Sequence, residues 1–409
     1  MTKPAKLSLN PIERRASVCL AGLFAARMLG LFLLLPVFAV AAQSLKGGLD
    51  PVQVGLALGI YGLTQAVMQI PFGMVSDRIG RRPVVLFGLT LFIVGSVICA
   101  LSDSIFWVTI GRAVQGSGAI SAAITAWLAD STRPEVRTRA MAMVGASIGL
   151  SFAISLVLAP VLVGWGGLQG LFWTIALLGV IAFAVAAWVV PVVPKGPAPT
   201  HKASAVAVLK HGGLIRMNIG VFSLHLTQVA LFVAVPPLLV QYGDIQADQL
   251  WKAYLPVILV SFLFMVPIVF MTETRRIHVL TLKLSVLLLV VVGFGLVWSV
   301  SGWWSLLFWL TVFFVAFNVL EALQPSLVSR IAPPELKGLA LGVYSTTQAM
   351  GLFLGGTLGG WLVHTGGATS VFWAITALSA IWLIVTWSLK VPAVASSTDS
   401  QTSAVSGQL

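Results

Sequence analysis

The sequence predicts an all-α membrane protein with twelve transmembrane helices in two six-helix bundles. Three observations predict it: the apolarity of the chain, the spacing of its apolar windows and a repeat at an offset of 200 residues. Of its 409 residues 58% are hydrophobic and 9% charged. A mean hydropathy of +1.00 leaves too little polar surface to coat a water-soluble globule of this size.

The first apolar window, 16–42, is too long for a signal-peptide core and ends without a small-residue cleavage pattern. It reads as a retained span behind a short cytoplasmic N-tail, 1–15. Windows 52–75 and 84–101 follow, each about long enough to cross a hydrocarbon core of ~30 Å at ~1.5 Å per helical residue. Between them "GMVSDRIGRRP" packs Asp77, Arg78, Arg81 and Arg82 into a tight loop. Windows 104–129, 139–164 and 168–191 complete a first bundle over 16–191. The stretch 192–215, "VVPKGPAPTHKASAVAVLKHGGLI", mixes prolines, glycines and basic residues and reads as a cytoplasmic linker. Windows 216–241, 250–271, 279–301, 303–328, 338–363 and 368–389 form a second bundle over 216–390. The tail 391–409, rich in Ser, Thr and Ala, has no core of its own and is expected to be disordered.

Of the 24 Lys and Arg residues, 20 fall on one side of this topology, and only Lys46 and Lys252 fall on the other. That excess marks the first side as cytoplasmic and places both termini there. The net charge of +12 therefore reads as topology, since the basic residues come in short clusters between apolar runs and form no nucleic-acid face. Cys19 and Cys99 lie in apolar runs and offer neither a disulfide framework nor a thiolate metal site. With no His-Glu-x-x-His pattern either, no metal is expected.

The repeat sets "LFLLLPVFAV" (31–40) against "LFVAVPPLLV" (231–240). At the same offset "RPEVRTRA" meets "PPELKGLA", pairing Pro134 with Pro334, Glu135 with Glu335 and Arg137 with Lys337. At an offset of 196, Pro71 meets Pro267 and Asp77 meets Glu273. Six spans return the chain to its starting side, so the two copies share one orientation and are related by an axis along the membrane normal.

Arg27 and Arg112 are charges inside spans, Arg27 about 18 Å in from the cytoplasmic edge and Arg112 about 13 Å from the outer one at 1.5 Å per residue. A charge at that depth costs ~2.5 to 3.5 kcal/mol on insertion scales, so both are expected to face a cavity or a partner. Glu321 is the only carboxylate inside a span window, and His225 the only histidine well inside one. His225 reads first as a hydrogen-bonded core residue, with titration near neutral pH as the functional alternative. Glu321 reads either as a permanent partner of Arg275, Arg276 or Arg330 or as a site that binds a proton in one conformation and releases it in another. One acid and one deep histidine supply no constellation for a membrane-embedded enzyme. Gly145-x-x-x-Gly149 and Gly351-x-x-x-Gly355 are expected to let helices approach closely.

Gly73-x-x-x-Asp77-Arg78-x-Gly80-Arg81-Arg82 resembles the loop signature of the major facilitator superfamily between spans 2 and 3. Arg112-x-x-Gln115-Gly116-x-Gly118 resembles its span 4 signature, and "LGLFLLLPV" is similar to span 1 of its twelve-span drug:proton antiporters. The likeness runs from Glu13 to about Lys390. It departs in span 5, where such antiporters carry Gly-Pro and paired glycines and this chain has Ala159-Pro160 and then "VLVGWGG". The members it resembles in most detail carry a small soluble α/β domain after span 12; this sequence ends without one, and that domain's work is not expected here.

The resemblance implies the major facilitator fold and a secondary active transporter working by alternating access. Export of small hydrophobic or amphipathic solutes coupled to protons is expected, with proton-coupled import or exchange of a metabolite as the alternative and a channel further off. It implies no cofactor beyond the proton as coupling ion, a small-molecule substrate, a lipid bilayer and no nucleic-acid partner. A working monomer in the bacterial cytoplasmic (inner) membrane is implied as well. It further implies a cytoplasmic latch in which Asp77 meets the N-terminal end of span 11, around Lys337 to Ala340, and Arg81 reaches Asp130 when the molecule opens outward. Gly73, Arg78, Gly80 and Arg82 complete that latch; pure topology is the rival reading, but it has no need of Asp77 or Gly80. Arg112, with Arg27, Glu321 and His225, is a coupling candidate. Spans 1, 4, 7 and 10 line the cavity in this superfamily, offering Phe24, Met28, Phe32, Gln115, Phe222, Gln228, Phe313, Phe317, Asn318 and Gln324. Apolar and aromatic walls with few polar anchors favour a hydrophobic or amphipathic solute over a sugar.

Overall fold

The structure, a computed structural model, describes residues 8–191, 208, 210–299, 302–333 and 336–389. Lys3 and Lys6 of the N-tail, the linker over 192–207 and 209, and the tail from Lys390 onward lie outside the described residues. The helices are α1 (Pro11–Phe32), α2 (Phe38–Ala41), α3 (Pro51–Ile79), α4 (Arg81–Ala100), α5 (Ile105–Ser117) and α6 (Ser121–Asp130). They continue as α7 (Pro134–Ala184), α8 (Gly212–Gly243), α9 (Trp251–Arg275), α10 (His278–Ser299), α11 (Trp303–Ile331) and α12 (Lys337–Trp387). Among the described residues, nine helices are long and apolar enough to cross a membrane.

Twelve crossings follow from how two long helices and one broken span are built. The helices α7 and α12, 51 residues each, both fold back at a glycine pair, Gly166-Gly167 and Gly366-Gly367, and so contribute two spans apiece. Span 4 is divided at Gly118 into α5 and α6, of 13 and 10 residues, each too short to count alone. Span 1 is α1 continued by α2: Pro36 has no N–H to donate, and the helix resumes where Phe38 N–H reaches Leu34 O at 2.9 Å.

Local chemistry sets the other boundaries. Asn10 and Glu13 form a reciprocal capping box at the start of α1, with Pro11 at the first helical position. Asp50 caps α3 by accepting from Val52 N–H at 2.9 Å. Gly80 alone joins α3 to α4 at φ 101°, a conformation that glycine takes without a Cβ penalty. Span 7 starts at Gly212, inside the stretch expected to be linker, because His211 accepts from Leu214 N–H at 3.4 Å and caps the first turn. Large indoles at span ends, Trp165, Trp188, Trp298, Trp304 and Trp387, face outward, as expected where a helix meets the membrane interface.

The repeat is visible in the backbone. Gly166 and Gly366 have φ/ψ of −146°/15° and −142°/15°, and Gly167 and Gly367 have 61°/−162° and 68°/−171°. The two halves meet most closely between spans 2 and 11. A Cβ on Gly55 would lie 2.2 Å from Gly356 O, one on Gly59 2.4 Å from Phe353 O, and one on Gly62 2.4 Å from Ala349 O. This seal occupies the side away from the termini, where Gly164 of span 5 also approaches Asp248 ahead of span 8. Toward the side of the termini and the basic loops the halves part, and Gly145, Gly149, Gly338 and Gly342 have nothing within 4 Å of a built Cβ. The expectation that Gly145 and Gly149 pack a neighbouring helix is therefore not met in this conformation. Gly351, Gly355 and Gly359 do pack, against Phe222, Leu226 and Ala230 of span 7.

Candidate functional site

The centre of the N-terminal half is built on two buried arginines. Arg27 and Arg112 are each 1% exposed, so neither faces lipid or an open cavity. Span 4 breaks just before Ser121, which brings that hydroxyl under span 1: Arg27 Nη1 donates to Ser121 Oγ at 2.7 Å and Nη2 to Gln65 Oε1 at 3.4 Å. Arg112 donates to Gln115 Oε1 at 3.0 Å and to the Leu58 carbonyl at 3.5 Å. Both guanidinium groups lie over the ring of Tyr61, at 5.8 Å and 4.7 Å from its centroid. The Nε atoms of both arginines and the Tyr61 hydroxyl have no hydrogen-bond partner.

The C-terminal half places an acid where the other half has a serine, since Glu321 is the repeat-mate of Ser121 at an offset of 200. Its Oε2 lies 3.5 Å from His225 Nε2. His225 is buried in span 7, with Nδ1 3.0 Å from the Val221 carbonyl. A carbonyl only accepts, so Nδ1 carries the proton and Nε2 accepts from the Gln348 amide at 2.6 Å. That tautomer leaves Glu321 Oε2 without a donor, although the side chain is 28% exposed. Arg330, expected as a partner for Glu321, instead donates to Glu273 at 3.0 Å, nearer the basic loops.

Aromatic rings close the space between the halves. Phe152 of span 5 stands 5.2 Å from Phe32, 5.6 Å from Phe317, 5.8 Å from Phe314 and 6.4 Å from Phe232, centroid to centroid. Phe313 stacks on Phe317 at 5.8 Å, and the Phe317 ring is 6.0 Å from that of His225. Phe24, Met28 and Gln228 are buried on spans 1 and 7, and Phe222 is half-buried against Gly351.

Three residues expected on the cavity wall are inside the bundles instead. Gln115 donates to Ser96 Oγ at 2.7 Å, and Asn318 donates to Ser261 Oγ at 3.3 Å. Gln324 is fully buried and, with Trp382, packs against Gly220. One residue turns a helix face by about 100°, and an unaligned span does not reveal that angle. Tyr61, Gln65, Phe152, Tyr344 and Gln348 carry the geometry but were not expected in it. The pairs Tyr61/Gln65 and Tyr344/Gln348, each four residues apart in an apolar span, are the sequence signal that points to them.

Charges on the side of the termini form three networks. Arg81 donates to Asp130 Oδ2 at 2.9 Å and to Ser76 Oγ at 2.9 Å, and it also pairs with Asp77. Asp77 therefore bonds inside its own half here, and Gly338 at the start of span 11 is open. Gly73 packs near Ala122, while Arg78 and Arg82 sit at the loop surface. In the other half Glu273 Oε2 lies 3.2 Å from His278 Nε2 and 3.0 Å from Arg330 Nη2. Glu13, buried, takes a two-pronged contact from Arg133, Nε at 2.8 Å and Nη2 at 3.1 Å, tying span 1 to the entry of span 5. On the sealed side, Lys46 pairs with Asp103 at 3.0 Å and holds that carboxyl below the usual aspartate range.

Among the described residues no group of His, Cys, Asp and Glu is arranged to hold a metal. A bilobed helical body with buried mid-membrane charges and ion-pair networks at its loops defines a class. The family model described as Major Facilitator Superfamily matches residues 20–320 and 217–407, and the chain belongs to that superfamily. It is accordingly an integral membrane protein and a secondary transporter, in a family of transporters and not of enzymes. In particular, the chain is similar to the inner membrane transport protein YajR of Escherichia coli K12, 44% identical over 398 residues, 95% of this chain and 86% of that one. Multidrug resistance protein MdtL of Shigella dysenteriae is 28% identical over 197 residues, 46% of this chain and 49% of that one. Among solved structures, a bacterial homolog of the human lysosomal transporter Spinster, inward-facing and occupied, has a TM-score of 0.72 at 13% identity, covering 93% of this chain and 96% of that one. That likeness establishes the fold.

Proposed function

We propose that the chain exports small hydrophobic or amphipathic solutes from the bacterial cytoplasm across the inner membrane in exchange for protons, with both termini in the cytoplasm. In that orientation the conformation described here opens to the cytoplasm and is sealed toward the outside. The excess of basic residues on the side of the termini supports the orientation, and the inner-membrane relative YajR supports the location. MdtL, a multidrug resistance protein, supports export over about half of the chain.

One observation carries the coupling. Glu321 is partly exposed, its Oε2 has no donor, and it lies 3.5 Å from a histidine whose lone pair accepts from Gln348. A proton arriving at His225 Nε2 displaces the Gln348 donor and creates one for Glu321; a proton on Glu321 achieves the same neutrality at the carboxyl. Either event removes an unpaired charge from the space between the halves, which lowers the cost of closing it on the cytoplasmic side. In the outward-open state, Asp77 then leaves Arg81 for the first turn of span 11, where a carboxylate gains from the helix N-terminus.

The test is flux in proteoliposomes with and without a pH gradient, against a panel of lipophilic cations, amphipathic anions and metabolites. Glu321→Gln abolishes gradient-driven flux while leaving solute binding and counterflow exchange intact. Gradient-driven flux with unchanged pH dependence in Glu321→Gln overturns the coupling role. Uphill uptake driven by the same gradient establishes import in place of export.

A further inference from the structure

We propose that the N-terminal half binds an anionic group at Arg27, Ser121 and the N-terminus of α6: a carboxylate-type group of the transported solute, or a small inorganic anion such as chloride. This deepens the exporter reading by naming the charge carried by the solute or its co-ion. The site rests on charge balance. Arg27 and Arg112 are both 1% exposed, and a guanidinium does not give up its proton in a protein. Among the described residues no carboxylate pairs with either of them. Their partners are a hydroxyl, two amides and a backbone carbonyl, all neutral. Cys99, which lies beside Gly111, points its thiol at the Val108 carbonyl at 3.4 Å and so supplies no negative charge. Two buried positive charges without a counter-charge call for an anion from outside the chain.

Three further features place that anion. The helix α6 is 10 residues long and begins at Ser121, and its N-cap, Ile120, makes no side-chain bond to the first turn. Its first N–H groups and the positive end of its dipole are therefore unclaimed. Arg27 sits at that end, with Nη1 2.7 Å from Ser121 Oγ. Because Ser121 Oγ accepts this bond, its own O–H is left to donate. The unmet atoms of the arginine–tyrosine group, Arg27 Nε, Arg112 Nε and Tyr61 Oη, are all able to donate. The other half offers the contrast, since the repeat-mate of Ser121 is Glu321, a built-in carboxylate. The N-terminal half keeps the donors and leaves out the acid.

The experiment uses the full chain purified in detergent and follows unfolding by the fluorescence of its 14 tryptophans. Sodium chloride is titrated against sodium gluconate at constant ionic strength, the polyhydroxy chain of gluconate keeping it out of an apolar enclosure. Benzoate is titrated against benzamide, its neutral isostere. The expected result is a saturable rise in melting temperature of about 2 °C or more with chloride, benzoate or both. A shift with chloride alone identifies a co-ion site; a benzoate shift that competes with chloride and is absent for benzamide identifies a solute carboxylate. The shift disappears in Arg27→Gln and Ser121→Ala. In Ser121→Asp, which supplies an internal carboxylate, it disappears while the melting temperature in gluconate is at least that of the unmodified chain. No anion-dependent shift in the unmodified chain, or a shift that survives in Ser121→Asp, overturns the proposal. Because the measurement needs no flux, its failure leaves the exporter reading standing, and failure of flux with the shift intact removes that reading alone.

Discussion

Gly55→Ala opens the sealed side of the molecule. A Cβ at Gly55 would lie 2.2 Å from Gly356 O, 2.9 Å from Gly360 Cα and 3.0 Å from Gly360 N. These are backbone atoms, so no side chain can swing away, and relief to a tolerable ~3.2 Å requires spans 2 and 11 to separate by about 1 Å. Overpacking of this kind costs ~1 to 3 kcal/mol, while replacing glycine by alanine in a helix returns ~0.5 to 1 kcal/mol through backbone entropy. That return is common to both conformations, so the full ~1 to 3 kcal/mol falls on the one that contains the contact. The equilibrium therefore shifts ~5- to 140-fold toward the state open on the other side, at 1.4 kcal/mol per tenfold. Gly145→Ala is the control: nothing lies within 4 Å of its built Cβ, so it keeps the entropy gain and leaves the equilibrium alone. The assay is the labelling rate of single cysteines introduced on either side of the seal, in membranes, by an impermeant thiol reagent. Equal labelling in Gly55→Ala and Gly145→Ala, or a shift in the opposite direction, would refute the reasoning.

Asp77→Asn leaves the helices inserted and costs little in the conformation described, because the carboxylate is 65% exposed and its pair with Arg81 is mostly screened. It depletes the outward-open state, which labelling of cysteines on the sealed side detects; unchanged labelling removes Asp77 from the latch. Glu13→Gln leaves one oxygen to serve Arg133 and the Asn10 cap together, and lowers the melting temperature by a few degrees, whereas Lys46→Ala leaves it nearly unchanged. Lys46 holds the Asp103 carboxyl down, so its small contribution is present above the ordinary aspartate value of about 4 and is lost as pH falls through the lowered one. Melting curves of Lys46→Ala and the unmodified chain are expected to converge in acid, and a gap that widens there contradicts the assignment.

The twelve spans were legible because lipid imposes a strong rule: every crossing needs about 20 apolar residues, and the windows match the helices to within a few positions. Gly80 was expected only as part of the latch, whereas the structure makes it the one-residue joint between two antiparallel spans, in a conformation that glycine takes without a Cβ penalty. What faces what was harder. Gln115, Asn318 and Gln324 belong to the expected spans but point into the bundles, and the polar residues that do cluster, Gln65 and Gln348, are neutral and carry no charge signal. Conformation was not legible at all. Spans 2 and 11 meet at the far side here and Asp77 pairs with Arg81; on the proposed latch the partner of Asp77 changes when the spans meet at the basic loops instead, and one sequence would serve both arrangements.

The repeat copies backbone and inverts chemistry, and that inversion bears on how a twofold body comes to have a direction. The turns at Gly167 and Gly367 agree closely, yet Ser121 faces Arg27 where Glu321 faces His225. At the loops, Arg81 bridges Asp77 and Asp130, whereas in the other half Glu273 sits between His278 and Arg330. Had both halves carried the same groups, protonation would act on the two sides of the central space alike, and no single site would report the state of the whole. On the proposed coupling, fixed guanidinium charges in one half stand opposite Glu321 and His225 in the other, so a proton taken up there would change the balance across the space between them. Alternating access on that proposal would need no moving coupling residue, only a C-terminal half whose charge changes opposite an N-terminal half whose charge does not. Replacing His225 by Gln keeps a hydrogen-bonding side chain in place but removes the imidazole beside Glu321. It is expected to change the pH dependence of gradient-driven flux, and an unaltered profile would show that the histidine only packs.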